Sequence, residues 1–129
     1  MPFLGEIMGE SSVDLATKEF VIVRVSQLNG CAYCLGAHRP LATEAGVTRD
    51  AMAAICAETS LDALPARERA IVDWVDAVIL QPAATDERLL QRTLRHLRED
   101  QLVELTILAG AITMLNQYCT AFRIPPPGP

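Results

Sequence analysis

From residue 41 onward no segment of this chain alternates apolar with polar residues, and none is a β-branched run. A sheet cannot be built from such material, because a half-buried strand needs period-two patterning. Helical spacing takes its place. Ile71, Trp74, Val75, Val78 and Ile79 fall at i, i+3, i+4, i+7 and i+8, while Arg67, Glu68, Asp73 and Asp76 occupy other faces. Pro65 suits the start of this helix and Gln81-Pro82 its end. Thr85, with Asp86 and Glu87 behind it, opens a helix carrying Leu90, Leu94 and Leu97. A last helix from about Asp100 to Phe122 is apolar at Leu105, Leu108, Ile112 and Leu115. Thr48 caps a short helix through Met52 and Ile55, and residues 59–64 form a linker.

The first third is ambiguous. Phe20-Val21-Ile22-Val23 is β-prone, and a strand leading into a Cys-x-x-Cys helix would resemble thioredoxin. That fold needs several further strands, which the rest of the chain does not supply. The segment 14–28 is therefore read as a buried helix capped by Ser12 or Asp14, with Leu15, Phe20, Val23 and Leu28 inside. Asn29-Gly30 ends it and Gly46 ends the next helix, which runs to about Ala45 and should kink at Pro40. Residues 1–12 read as an irregular arm, and 124–129, with Pro125-Pro126-Pro127-Gly128-Pro129, as an extended tail. The expected architecture is all-α: one domain over residues 1–129, of about six helices.

Half of the 129 residues are hydrophobic and only 5% aromatic, so the core must be Ala, Leu, Ile and Val in close helix packing. That share is high for a short chain and predicts a homo-oligomer that buries apolar helix faces between subunits. A net charge of −5 without a Lys/Arg run argues against nucleic acid and anionic membranes. No apolar run approaches a spanning length of about 18 residues. The start lacks the pattern of a signal peptide, so a cytoplasmic location is expected. In a reducing compartment four cysteines read as catalytic, metal-binding or buried.

Two of those cysteines carry the chemistry. In Cys31-Ala32-Tyr33-Cys34-Leu35-Gly36-Ala37-His38, residues three and four apart share one helix face. Cys31, Cys34 and His38 therefore form one stripe: a dithiol at a spacing that suits a reversible disulfide, with a base one turn on. Glu19 is the only carboxylate between Asp14 and Glu44. At about 1.5 Å per residue, Glu19 and His38 stand at similar heights on an antiparallel hairpin, within reach directly or through water. The competing reading is structural zinc at Cys31, Cys34 and His38, with Cys56 or Cys119 as fourth ligand. Taken alone, Cys56 and Cys119 read as small core residues, His96 as a solvated helix residue, and Trp74 as core. A helix N-terminus favours Cys31 as the attacking thiolate and the nearby imidazole favours Cys34. The residues leave that choice open.

Glu19, eleven intervening residues, and Cys31-x-x-Cys34-x-x-x-His38 together resemble the alkylhydroperoxidase D core of the carboxymuconolactone decarboxylase superfamily. The string Arg24-Val25-Ser26-Gln27-Leu28-Asn29-Gly30-Cys31 and the ending Phe122-Arg123-Ile124-Pro125-Pro126 extend the likeness over most of the chain. The resemblance implies an all-helical fold, trimers or hexamers, and a peroxidase (peroxiredoxin activity) whose disulfide cycles against an external dithiol reductant. It implies Cys34 as the peroxidatic thiol, Cys31 as resolving, His38 as base or proton shuttle and Glu19 as its partner through water, with a hydroperoxide or other small molecule as substrate and no cofactor. The best-studied members carry a second His where this chain has Tyr33, which shortens the relay. The decarboxylase that names the superfamily works without this dithiol, so its fold carries over and its reaction does not. A variant of this reading keeps the fold, takes an unknown small molecule and uses the dithiol as a redox switch.

Overall fold

The computed structural model describes residue 9 and residues 11–128; the rest of the expected N-terminal arm and Pro129 lie outside the described residues. Among the described residues there are six α-helices: α1 Leu15–Asn29, α2 Ala32–Ala45, α3 Arg49–Ile55, α4 Ala66–Leu80, α5 Glu87–Leu94 and α6 Glu99–Ala121. Short 3₁₀ turns at Leu61–Ala63 and Pro82–Ala84 flank α4. No strand occurs among the described residues.

α1 is the central helix, packed against α2 and α6 along most of its length and against α4 and α3 on its remaining sides. Phe20, Val21, Ile22, Val23 and Val25 are all buried. Burying a Val or Ile side chain gains about 1.5–3 kcal/mol. The helix-propensity penalty of a β-branched residue is at most about 0.7 kcal/mol, so burial decides the conformation. Asp14, one of the two expected caps, accepts from the Thr17 N–H at 3.1 Å. Gly30 closes the helix at φ 67° and Gly46 closes α2 at φ 111°, both left-handed conformations that cost a residue without Cβ little.

Because α1 is enclosed, its charged side chains must find partners inside the protein. Lys18 pairs with Glu104 of α6 at 3.2 Å and donates to the Gly9 carbonyl at 2.7 Å. Arg24 grips Asp76 of α4 through two hydrogen bonds of 2.9 and 2.6 Å and reaches the Ile55 carbonyl at 2.9 Å. Glu19 meets His38 of α2 at 2.8 Å. Three charges on one helix thus tie it to three different neighbours.

Some boundaries differ from the sequence reading. Pro65 is the residue before α4 rather than its first, and α5 stops at Leu94, so Leu97 is buried from the connection to α6. α2 runs through Pro40 to Ala45, the end that the sequence indicates. At 23 residues α6 is long and apolar enough to cross a membrane by length and composition, although polar residues interrupt its apolar run. Its inner face, with Leu105, Leu108, Ala109 and Ile112, is buried in the protein.

Candidate active site

The turn at Gly30 delivers Cys31 to the N-cap of α2, where its sulfur accepts from the Cys34 N–H at 3.3 Å. One turn on, Cys34 stands beside it, and the two sulfurs are 2.7 Å apart as free thiols. Both are inside the protein: Cys31 is 1% exposed and Cys34 7%.

His38, one further turn along α2, directs Nδ1 at the Glu19 carboxylate, and the 2.8 Å contact is direct. Glu19 is nearly enclosed and the imidazole only partly. Cys34 and His38 share the wall of a cavity of about 130 Å³ whose other lining includes Tyr33, Cys119 and the apolar Ile22, Ile112 and Leu115. Cys31 opens the other way. With Gly30 and Ala32 it lines a recess of about 290 Å³ closed by Cys119, Arg123 and the tail at Ile124, Pro125 and Pro126. The tail then crosses α2 at Gly36, where a Cβ would come within 2.9 Å of Pro127 Cδ. Only a glycine admits that approach without displacing the tail.

The Cys34 thiol is pushed up to about 12, first by burial and then by the neighbouring Cys31 sulfur; Asn116 acts in the opposite direction by hydrogen bonding to it. Asn116, on α6, is 1% exposed, and its orientation is fixed by a chain of partners. Thr113 gives its hydroxyl hydrogen to the Ala109 carbonyl at 2.9 Å, so its oxygen can only accept. It accepts from the Asn29 Nδ2 at 3.2 Å. The same Asn29 nitrogen donates to Asn116 Oδ1 at 3.0 Å, which leaves the Asn116 Nδ2 to donate to Ser26 Oγ at 3.1 Å and to face Cys34. These bonds turn the amide donor of Asn116 to the side of the Cys34 thiol, where it opposes the effect of burial.

All four residues singled out in the sequence lie together: Cys31 and Cys34 side by side, Glu19 and His38 in contact. The zinc set does not assemble as expected. Cys56 is in the core near the end of α3, and the sulfur group that forms is Cys31, Cys34 and Cys119, all within 4.8 Å of one another, without His38. Three sulfurs at this separation could hold a metal ion, but the fourth tetrahedral position would not be filled by His38, whose Nδ1 faces Glu19. Cys119 is thus no isolated core residue. The sequence signal for it and for Asn116 is positional: both continue the inner stripe Leu105, Leu108, Ile112 at helical spacing.

A buried pair of thiols, a carboxylate-bound imidazole and a small apolar cavity thus lie together on a helical scaffold. The sequence profile of the carboxymuconolactone decarboxylase family matches residues 1–77, and the chain belongs to that family. An uncharacterized protein of Bacillus subtilis (strain 168), YdfG, is 29% identical over 113 residues, 87% of this chain and 77% of that one. The alkyl hydroperoxide reductase AhpD of Nocardia farcinica is 47% identical over 45 residues, 35% of this chain but a quarter (25%) of the relative. Among solved structures, a putative antioxidant defence protein AhpD, ATU0492 of Agrobacterium tumefaciens, superposes with a TM-score of 0.85 at 24% identity, covering 99% of this chain and 88% of that one. The debrominase Bmp8, solved in complex with 2,3,4-tribromopyrrole, gives 0.75 at 20% identity over 95% of this chain and 65% of that one. At these identities the structural likeness establishes an AhpD-like fold.

Proposed function

We propose that this protein is a thiol peroxidase that reduces small hydroperoxides through a Cys31–Cys34 dithiol/disulfide cycle. The observation that carries the reading is the sulfur pair at 2.7 Å, with Cys34 sharing a small cavity with the Glu19-bound His38. A thiol pushed up to about 12 does not ionise unaided near neutral pH, so a base must take its proton as it reacts. His38 is that base, and Glu19 orients the ring and supports the imidazolium. The Cys34 thiolate attacks one peroxide oxygen, the O–O bond breaks, an alcohol leaves and Cys34 becomes a sulfenic acid. Cys31 displaces water from it and forms the disulfide. An external dithiol then exchanges twice, leaving Cys31 and Cys34 reduced and itself oxidised. The antioxidant and hydroperoxide-reductase names of the relatives agree with this chemistry, and a reducing compartment such as the cytoplasm is where it would run.

The decisive experiment is thiol titration before and after one equivalent of cumene hydroperoxide, with peptide mapping of the product. Loss of two thiols per chain with a Cys31–Cys34 bridge is expected. Four free thiols after treatment would refute the reading. Turnover of a halogenated aromatic in place of the peroxide would favour the same dithiol acting on another electrophile, as the debrominase fold allows.

A homo-oligomer, a trimer or hexamer, is part of the proposal. Val103, Ile107, Met114 and Tyr118 lie along one exposed side of α6, with Phe122 just beyond its end, and each is at least half exposed, an apolar stripe of the kind subunits cover. Sedimentation should give a multiple of 14.0 kDa, and Ile107→Glu should shift it towards the monomer. A wild-type monomer at micromolar concentration would refute this part.

A further inference from the structure

We propose that Cys119 is a third redox thiol of this site: it resolves oxidised Cys34 and carries the disulfide to the recess beneath the C-terminal tail, where an external thiol can reach it. The inference rests on the reading above that Cys34 is oxidised.

The sulfur of Cys119 lies within 4.8 Å of both Cys31 and Cys34. It lines both spaces, the cavity of Cys34 and His38 and the recess of Cys31 and the tail. It is also the least buried of the three, since Cys31 and Cys34 are enclosed and Cys119 is partly exposed. A disulfide confined to Cys31 and Cys34 presents two enclosed sulfurs, of which Cys31 borders the larger recess while only 1% exposed. A disulfide that includes Cys119 presents a partly exposed sulfur at the wall of the same recess. Bond formation needs the sulfurs at about 2.05 Å, which a rotation of the Cys119 side chain between staggered positions can approach.

Two balanced steps lead there. In the first, the Cys119 thiol attacks the sulfenic acid at Cys34; the S–S bond forms and the sulfenic oxygen leaves as water with the thiol proton. In the second, starting from the Cys31–Cys34 disulfide, the Cys119 thiolate attacks Cys34 and Cys31 leaves as a thiolate. This exchange changes no net oxidation state. An external dithiol then attacks Cys119, and its second thiol completes the reduction.

The test uses Cys31→Ser, exposed in separate samples to cumene hydroperoxide and to diamide, an oxidant that joins two thiols without a peroxide step. Peptide mapping should find a Cys34–Cys119 bridge in both. Dimedone labelling of Cys34 after hydroperoxide should be at least tenfold weaker than in Cys31→Ser/Cys119→Ser, which has no resolving thiol. Equal labelling in the two variants, with no intramolecular bridge under diamide, would overturn the inference. A bridge under diamide but four unchanged thiols in wild type under hydroperoxide would sink the peroxidase reading and leave the third thiol standing. Oxidised wild-type protein supplies an independent check should Cys31→Ser fail to fold. A minor Cys34–Cys119 or Cys31–Cys119 bridge is expected there, and Cys119→Ser should slow reduction of the disulfide by dithiothreitol about tenfold. Absence of that bridge together with an unchanged reduction rate would overturn the proposal.

Discussion

Asn116→Leu removes the one amide that faces the Cys34 sulfur, and its two consequences can be separated. The replacement fills a site only 1% exposed and deletes the bonds to Asn29 at 3.0 Å and Ser26 at 3.1 Å. Asn29 retains Thr113 as a partner, and a serine hydroxyl can turn to a carbonyl of its own helix. Each loss therefore costs towards the lower end of about 1–3 kcal/mol, about 2 kcal/mol in all. For a domain of this size that lowers Tm by roughly 6–10 °C. The effect on the thiol is distinct. Asn116 opposes the burial that pushes Cys34 up, and a hydrogen bond to a charged group contributes about 1.5–3 kcal/mol. Its removal should cut the thiolate fraction, and with it single-turnover oxidation at fixed pH, by roughly 10- to 100-fold. Stopped-flow oxidation at several pH values, with thermal melts alongside, measures both. Ser26→Ala is the control: it breaks the 3.1 Å bond but leaves the amide facing sulfur, so it should lower Tm and leave the oxidation rate within a few-fold of wild type. An Asn116→Leu protein with a lower Tm and a wild-type rate would refute the reasoning and make the residue purely structural.

The ionisation of Cys34 gives a second expectation. Because the thiol stands at about 12 against an ordinary 9.0, its alkylation by iodoacetamide should rise about tenfold per pH unit from 7 to 10 without a plateau; a midpoint at or below pH 9 would contradict it. The raised folded value also means that stability from this group is complete below pH 9 and lost as pH climbs towards 12, so melts should fall over that window and Cys34→Ala should flatten the fall. His38→Ala should slow peroxide turnover by about 10²–10⁴-fold and Glu19→Gln by less, with a double variant no worse than His38→Ala; additive defects would separate the two residues. Ala57, at φ 62° beyond α3, holds a left-handed conformation that costs an L-residue about 1–2 kcal/mol, so Ala57→Gly should raise Tm, and a lower Tm would remove that account.

Much of this architecture could be read from punctuation. Asp14, Gly30, Gly46 and Thr48 each mark a helix end through a local bond or a left-handed turn, so their meaning does not depend on the rest of the fold. The identity of α1 did depend on it: Phe20 to Val23 favour a strand locally, and only enclosure on all sides makes them helical. The contact of Glu19 and His38 followed from helix rise and one tight turn. Asn116 was missed, and Cys119 was named only as a possible fourth zinc ligand, for the opposite reason. They reach the dithiol from the far end of the chain, across a contact between α1, α2 and α6 that no local pattern encodes. Their places on the buried stripe of α6 were legible, but a cysteine there reads as filler, and a polar residue reads as a site only once its neighbours are known.

Under the proposed dithiol cycle, the three ionic ties of α1 also determine where redox state would be felt. Sliding or turning that helix would break its grip on Glu104, His38 or Asp76, and removing one partner of a buried pair costs about 3–5 kcal/mol. The core is therefore a fixed anvil beneath the sulfurs. Strain from making or breaking a bond at Cys31 must be relieved in the other direction, through the first turn of α2, the last turn of α6 and the proline segment seated on Gly36. Any partner that distinguishes the oxidised from the reduced protein would find the difference on that face and little of it elsewhere.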